Sequence, residues 1–407
     1  MQSAPRKKNK RVNVRTPEVM ERVQEEVASH YQSSIVEKVR SMGGELTVGD
    51  TTVRLAKQFG FCYGVERAID LAYASRRVFP GSRIFLIGEI IHNPEVNRQL
   101  EEMEIVSLPW QEMDEQYDSL TSDDVVIVPA FGAPISFVDK VESQGCRIVD
   151  TTCGDVMKVW RRVRNFAKSG ITSIIHGKAG HEETRATASR AEGDDGSGHY
   201  LIVLTLEDVE KVCRYLVEGG DKEEFLANFQ GGYSTNFDPD VHLDRIGVAN
   251  QTTMLKSETE EIQNRVRDAL VKRDGSDENF SVFDTICGAT QERQDALFEM
   301  LKQKMDLLLV VGGYNSSNTT HLVEIGEQEL PTFFIRSASC IGSLEEIVHF
   351  DIEGREEVTS YTDIFKKESS AIFGITAGAS CPNNLIEDTI FKVFELRGSS
   401  REQVESA

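Results

Sequence analysis

The chain reads as an α/β protein of three similar units with small, mostly parallel sheets, arranged pseudo-threefold around a shared centre. Three observations predict this. Short apolar runs of strand length alternate with longer amphipathic segments through most of the chain, the pattern of βα units. The polar clusters fall where these runs end, and parallel sheets hold ligands at the carboxyl ends of their strands. One device recurs: a cysteine at a strand end that opens a helix, at Cys62, Cys153 and Cys287.

The elements follow in order. Arg6, Lys7, Lys8, Lys10 and Arg11 lie in a stretch read as a solvated tail, since no aromatic accompanies them as in a nucleic-acid arm. Thr16-Pro17 marks a helix start, a capping hydroxyl followed by a first-turn proline. Val19, Val23, Val27, Ile35 and Val39 keep four-residue spacing and predict one apolar helical face, ended by Gly43-Gly44. Leu46 to Leu55 predicts a hairpin around Gly49-Asp50. Strands are then expected at 83–87, 125–128 and 147–149 before Cys153, and at 171–175, 200–204, 246–249 and 281–283 before Cys287. Two more follow at 307–311 and 371–375. Polar segments at 191–198 and 219–244 read as surface insertions. The expected domains are an extension of tail, helix and hairpin (1–54), three α/β domains (55–152, 153–283 with insertions, 284–396) and a C-terminal tail (397–407).

With 407 residues, 39% hydrophobic and 28% charged, the chain has ample core and ordinary globular composition. No apolar run reaches the roughly 18 residues of a membrane span. The polar, basic N-terminus predicts no secretory leader. Seven scattered cysteines predict a reducing compartment rather than a disulfide framework. The expected location is the cytoplasm, or a plastid in a eukaryote. A formal charge of −22 argues against nucleic-acid and anionic-membrane partners, though not against an anionic small molecule held by local groups.

Three thiolates suit zinc with an open position or an iron–sulfur cluster; three unrelated core cysteines are the plain alternative. No C-x-x-C pair favours zinc. A cubane cluster on three cysteines leaves one iron without a protein ligand, able to act as a Lewis acid as well as an electron conduit. Cys146, Cys213, Cys340 and Cys381 are the alternatives for a fourth ligand; Cys146 and Cys213 read as core, and Cys381, beside Ser380, is the candidate to watch. The other strand ends carry donors with few charges: His92, His181, Thr252, Thr253, Ser316, Ser317, Asn318 and Ser380. Hydroxyls, amides and helix N-termini without lysine or arginine suit a phosphate or diphosphate. Glu183, amid glycine and threonine, is the candidate proton donor.

These motifs resemble the 4-hydroxy-3-methylbut-2-enyl diphosphate reductase family of the non-mevalonate isoprenoid pathway, in its plant and cyanobacterial branch. The matching stretches are Gly60-Phe61-Cys62-Tyr63-Gly64-Val65, Glu89-Ile90-Ile91-His92-Asn93, Asp150-Thr151-Thr152-Cys153, His181-Glu182-Glu183-Thr184, Asn250-Gln251-Thr252-Thr253, Ile286-Cys287-Gly288-Ala289-Thr290-Gln291, Asn315-Ser316-Ser317-Asn318 and Thr376-Ala377-Gly378-Ala379-Ser380. They run in the family's order over residues 55–396. The resemblance implies one 4Fe-4S cluster per chain, held by Cys62, Cys153 and Cys287 between three α/β domains, with one iron free of protein ligands. It implies a diphosphate held by His92, His181, Ser316, Ser317, Asn318 and Ser380. Thr252 would orient the allylic hydroxyl, and Glu183 would start the proton relay. Two electrons, from reduced ferredoxin or flavodoxin, and two protons would then remove the oxygen as water, giving isopentenyl and dimethylallyl diphosphates. One departure stands out: the shorter bacterial branch has Ala-His-Gly where this chain has Ala130-Phe131-Gly132. The competing expectations are a quinolinate synthase-like cluster dehydratase, which would need arginines for a dicarboxylate, and an electron carrier with a coordinatively closed cluster.

Overall fold

Gly49-Asp50 turns the chain as its residues dictate: β1 (Glu45–Val48) and β2 (Thr51–Leu55) pair antiparallel across it, with Gly49 at φ 61°. The structure, a computed structural model, describes residues 11–407 apart from 112, 114, 284, 285, 367 and 368. Arg6, Lys7, Lys8, Lys10 and the Asp284-Thr285 of the third cysteine motif therefore lie outside the described residues. The described residues fall into two compact units. One comprises those of Met1–Val19, Leu71–Ile90 and Gln99–Cys287; the other those of Met20–Asp70, Ile91–Arg98 and Gly288–Ala407.

The first unit holds two parallel sheets. β3 (Ile84–Ile87), β4 (Ile105–Leu108), β5 (Val125–Val128) and β6 (Arg147–Asp150) lie in the order β4-β3-β5-β6. β7 (Thr172–His176), β8 (Tyr200–Val203), β9 (Ile246–Asn250) and β10 (Phe280–Val282) lie in the order β10-β9-β7-β8. β3, β5, β7 and β9 are buried along their whole length, as strands covered on both faces are; β3 and β5 are unbroken apolar runs, while β7 and β9 also bury Thr172, Ser173, His176 and Asn250. In the second unit, β11 (Leu307–Val311), β12 (Thr332–Ile335) and β15 (Ala371–Ala377) join the first hairpin in the order β1-β2-β15-β11-β12, parallel except for β1. β13 (Glu346–Asp351) and β14 (Glu356–Tyr361) form a separate antiparallel hairpin. The protein is thus α/β with small, mostly parallel sheets. No helix among the described residues is long and apolar enough to cross a membrane.

Several local expectations are corrected. The first apolar face belongs to two helices, Pro17–Tyr31 and Ser34–Ser41, because Ser33 Oγ accepts from Val36 N (3.1 Å) and starts a second helix. The four-residue spacing continues across the break because residues on both sides reach the core. Arg11 to Val14 are not solvated tail: Val12 N donates to Ile148 O (2.9 Å), Val14 is buried, and Arg11 pairs with Asp150 (3.2 Å). Residues 219–244 are not a mere surface insertion either. Phe225, Phe229, Phe237 and Leu243 are buried against Leu201, Val248 and Leu270. Arg401–Ser406, within the expected tail, is a helix with Val404 buried.

Candidate active site

Each of the three cysteines immediately precedes a helix: Cys62 before Tyr63–Val78, Cys153 before Gly154–Lys168, Cys287 before Gly288–Leu301. All three are half-buried. Backbone hydrogen bonds fix each one. Cys62 N donates to Ala379 O (3.2 Å), Cys153 N to Ala130 O (2.8 Å) and Cys287 N to Thr252 O (3.2 Å). Gly60, two residues before Cys62, sits at φ 77°, and a Cβ there would come within 3.0 Å of Asn383 Oδ1. Thr151 closes the approach to Cys153 by giving both its N–H (3.1 Å) and its hydroxyl (2.6 Å) to Val128 O. Each cysteine thus stands, half-buried, at the helix end that favours negative charge, where a thiolate suited to an iron–sulfur cluster is stabilised. Among the other four, Cys340 is buried, with its sulfur 3.8 Å from the Tyr314 hydroxyl. Cys146 donates to Thr121 O (3.2 Å) in the core, and burial pushes the Cys213 thiol up to about 11. Cys381 is fully buried, and burial pushes its thiol well above the usual range; its sulfur lies 3.7 Å from Pro382 O.

The second unit gathers His92, Ser316, Ser317, Asn318 and Ser380. Ser316 caps the helix Ser317–Glu327, its Oγ accepting from Thr319 N (3.4 Å) and Thr319 Oγ1 (3.0 Å). Ser380 Oγ donates to His92 O (3.1 Å) and lies 3.5 Å from Ser316 Oγ. Asn318 Oδ1 accepts from Ala379 N (2.8 Å), which ties the strand end of β15 to that of β11. Gly313 lets the chain pass His92: a Cβ there would stand 2.3 Å from His92 O. All five side chains are buried, and Asn318 Nδ2 has no hydrogen-bond partner among the described residues. A buried amide N–H left over in a nest of hydroxyls suits a ligand rich in acceptor oxygens. Thr376 Oγ1, buried and likewise without a partner among them, is a residue that sequence alone does not single out.

The first unit gathers His181, Glu183 and Thr252 with Cys153 and Cys287. His181 caps the helix Glu182–Ala191, its Nδ1 accepting from Glu183 N (3.1 Å). An accepting Nδ1 assigns the proton of the neutral ring to Nε2, which leaves that nitrogen a donor. Glu183 is 3% exposed; its Oε1 accepts from Thr252 N (2.6 Å) and its Oε2 from Thr252 Oγ1 (3.0 Å). Since Thr252 O holds Cys287 N, a continuous path of hydrogen bonds runs from His181 through Glu183 and Thr252 to a cysteine. Phe131, where the short branch has histidine, lies edge-on to the His181 ring, with centroids 6.2 Å apart. It adds no hydrogen-bond donor. Gln251 supports this group, its Oε1 accepting from Thr184 Oγ1 (3.0 Å) and Lys178 N (3.2 Å). The motif around Thr252 contained Gln251 without revealing that role.

The chain matches a family model described as LytB protein over residues 53–394. A 4-hydroxy-3-methylbut-2-enyl diphosphate reductase of Gloeothece citriformis is 45% identical over 375 residues, which covers 91% of each chain. One of Picosynechococcus sp. is 46% identical over 372 residues, 90% of each. Two solved structures share the fold. One, titled (E)-4-hydroxy-3-methyl-but-2-enyl diphosphate reductase, the terminal enzyme of the non-mevalonate pathway, has a TM-score of 0.52 at 24% identity, covering 84% of this chain and 99% of that one. The E-1-hydroxy-2-methyl-but-2-enyl-4-diphosphate reductase from Plasmodium falciparum has a TM-score of 0.60 at 21% identity, covering 83% and 86%.

Proposed function

The chain belongs to the LytB protein family and is an oxidoreductase, and from that premise we propose that it reduces 4-hydroxy-3-methylbut-2-enyl diphosphate to isopentenyl and dimethylallyl diphosphates. The observation that carries the proposal is the path from His181 through Glu183 and Thr252 to Cys287, a buried carboxyl group wired to a cysteine stretch. A 4Fe-4S cluster on Cys62, Cys153 and Cys287, one per chain and with one iron free of protein ligands, would supply electrons singly and Lewis acidity toward an oxygen.

The chain's own residues do the rest. His92, Ser316, Ser317, Asn318 and Ser380, with His181 through Nε2–H, donate hydrogen bonds to the diphosphate. No arginine belongs to this set, whereas a dicarboxylate substrate of the quinolinate synthase kind would need arginines. Thr252 Oγ1 orients the allylic hydroxyl. Glu183 delivers a proton so that the oxygen leaves as water rather than hydroxide, worth on the order of 10²–10⁴ in rate. In balance, one C–O bond breaks and one C–H bond forms, with two electrons and two protons consumed and one water released. Each electron comes from a reduced one-electron carrier, ferredoxin or flavodoxin.

The test is a Mössbauer spectrum of the loaded protein with and without the diphosphate. The proposal expects one iron in four to change its parameters on addition. Four unchanged irons would point to a closed electron-carrier cluster instead.

A further inference from the structure

We propose that the exposed face of the helix Gly154–Lys168 is the docking surface for the electron donor, a small acidic one-electron carrier protein. This rests on the reductase proposal, because only a reaction that consumes electrons needs such a partner.

The helix carries five basic residues, Lys158, Arg161, Arg162, Arg164 and Lys168, against one acidic residue, Asp155. Their spacing decides where they point. Val156, Val159, Trp160, Val163, Phe166 and Ala167 form the buried stripe, and Lys158, Arg161 and Lys168 recur three and seven residues apart on the opposite side, with half-buried Arg162 stacked over Phe283 at its border. The Lys158 and Lys168 side chains are 72% and 65% exposed, and Arg161 is exposed as well. Lys158 pairs with Asp155 (2.6 Å) and Lys168 with Asp194 (3.9 Å), so the face keeps a positive surplus.

Two independent features turn this face into a docking surface. The rest of the chain is strongly acidic, with a formal net charge of −22, so an acidic partner is repelled from most of the surface and steered to a basic face. The helix also opens directly from Cys153. At 1.5 Å per residue, Lys158 and Arg161 lie roughly 8 and 12 Å along its axis from that cysteine. A carrier seated here would rest its own negative rim beside the place where electrons must enter.

The test uses the cluster-loaded protein, an acidic plant-type ferredoxin and a flavodoxin. Calorimetric titration at 20 and 300 mM salt should show binding of at least one carrier that weakens steeply with salt. The exposed double variant R161E/K168E should weaken it by about tenfold at low salt. Turnover with reduced methyl viologen, which needs no docking face, should stay within about twofold of the parent. Binding equal to the parent in the variant, binding indifferent to salt, or no binding of either carrier would overturn the proposal. So would equally tight binding of a short DNA duplex, which would make the face a general polyanion site. Loss of viologen turnover in the parent protein would instead count against the reductase proposal, while the titration still judges the surface.

Discussion

Both carboxylate oxygens of Glu183 are held by one residue, Thr252, whose backbone N–H and hydroxyl donate to Oε1 and Oε2 at 2.6 and 3.0 Å. Glutamine can keep this geometry: its carbonyl oxygen still accepts from Thr252 N, and the Thr252 hydroxyl can turn to accept from the amide. Glu183→Gln should therefore fold and bind the diphosphate within a few-fold of the parent, yet lose about 10²–10⁴ in kcat for want of a transferable proton. Near-parent kcat in a steady-state assay would remove Glu183 as the proton source.

Asn318 offers a sharper test of the anion site. Asn318→Asp keeps the acceptor for Ala379 N (2.8 Å) but replaces the buried donor by a carboxyl oxygen. A hydrogen bond to a charged group is worth about 1.5–3 kcal/mol, so inorganic pyrophosphate should bind roughly 10- to 100-fold more weakly by calorimetry. Asn318→Ala should fall between the parent and Asn318→Asp in affinity. Parent-like affinity of Asn318→Asp would mean that the amide does not face the ligand.

Gly313 is where the donor loop meets the backbone of His92. Gly313→Ala would drive a Cβ to 2.3 Å from His92 O, so loop or strand must shift. Overpacking of this kind costs about 1–3 kcal/mol, and thermal melting should show it together with weakened pyrophosphate binding. An unchanged melting temperature would mean that the loop yields freely.

Arg293 is a buried guanidinium that donates to Gly60 O (2.5 Å) and Ala289 O (2.8 Å). One side chain thus ties the loop that carries Cys62 to the first turn of the helix that follows Cys287. Arg293→Met should speed the loss of iron to a chelator at least several-fold, while circular dichroism still reports a folded chain. Arg293→Lys should restore part of the parent rate. Equal chelation rates in all three would leave Arg293 with a packing role only.

His199 and His242 stack with centroids 3.6 Å apart, and burial, reinforced by His242, lowers the His199 pKa. Between its lowered folded value and the ordinary value near 6.5, the unfolded chain binds more protons, so stability rises with pH in that window. The urea midpoint should fall between pH 7.5 and pH 5.5, and His199→Gln should flatten that fall. An equal slope in the variant would assign the dependence to other groups.

What sequence conveyed, and what it did not, follows from where each signal resides. The strands β3, β5 and β11 were legible because both of their faces are covered and their apolar runs are unbroken; β7 and β9 were legible from shorter apolar centres, Ile174-Ile175 and Val248-Ala249. β4 was not, because Val106 and Ser107 are exposed at a sheet edge and interrupt the pattern. The pairing of β2 with β15 joins residues more than three hundred positions apart, and no local periodicity encodes it. Phe225 and Phe229 carried a core signal that the surrounding glycine, asparagine and aspartate masked. At the site, the motifs exposed Cys62, Glu183 and Asn318 because such side chains are unusual where a helix begins, although Cys62 stands seven residues beyond the end of β2 rather than at a strand end. Gln251, Arg293 and Thr376 act through hydrogen bonds or burial that only the folded chain creates.

Turnover of the allylic diphosphate is the decisive measurement. Protein purified anaerobically, with its iron and sulfide counted, is given 4-hydroxy-3-methylbut-2-enyl diphosphate and reduced methyl viologen, and the products are read by NMR. The account predicts both isopentenyl and dimethylallyl diphosphates, with two electrons consumed per molecule formed. A fully loaded protein that binds the diphosphate and makes neither product would contradict it.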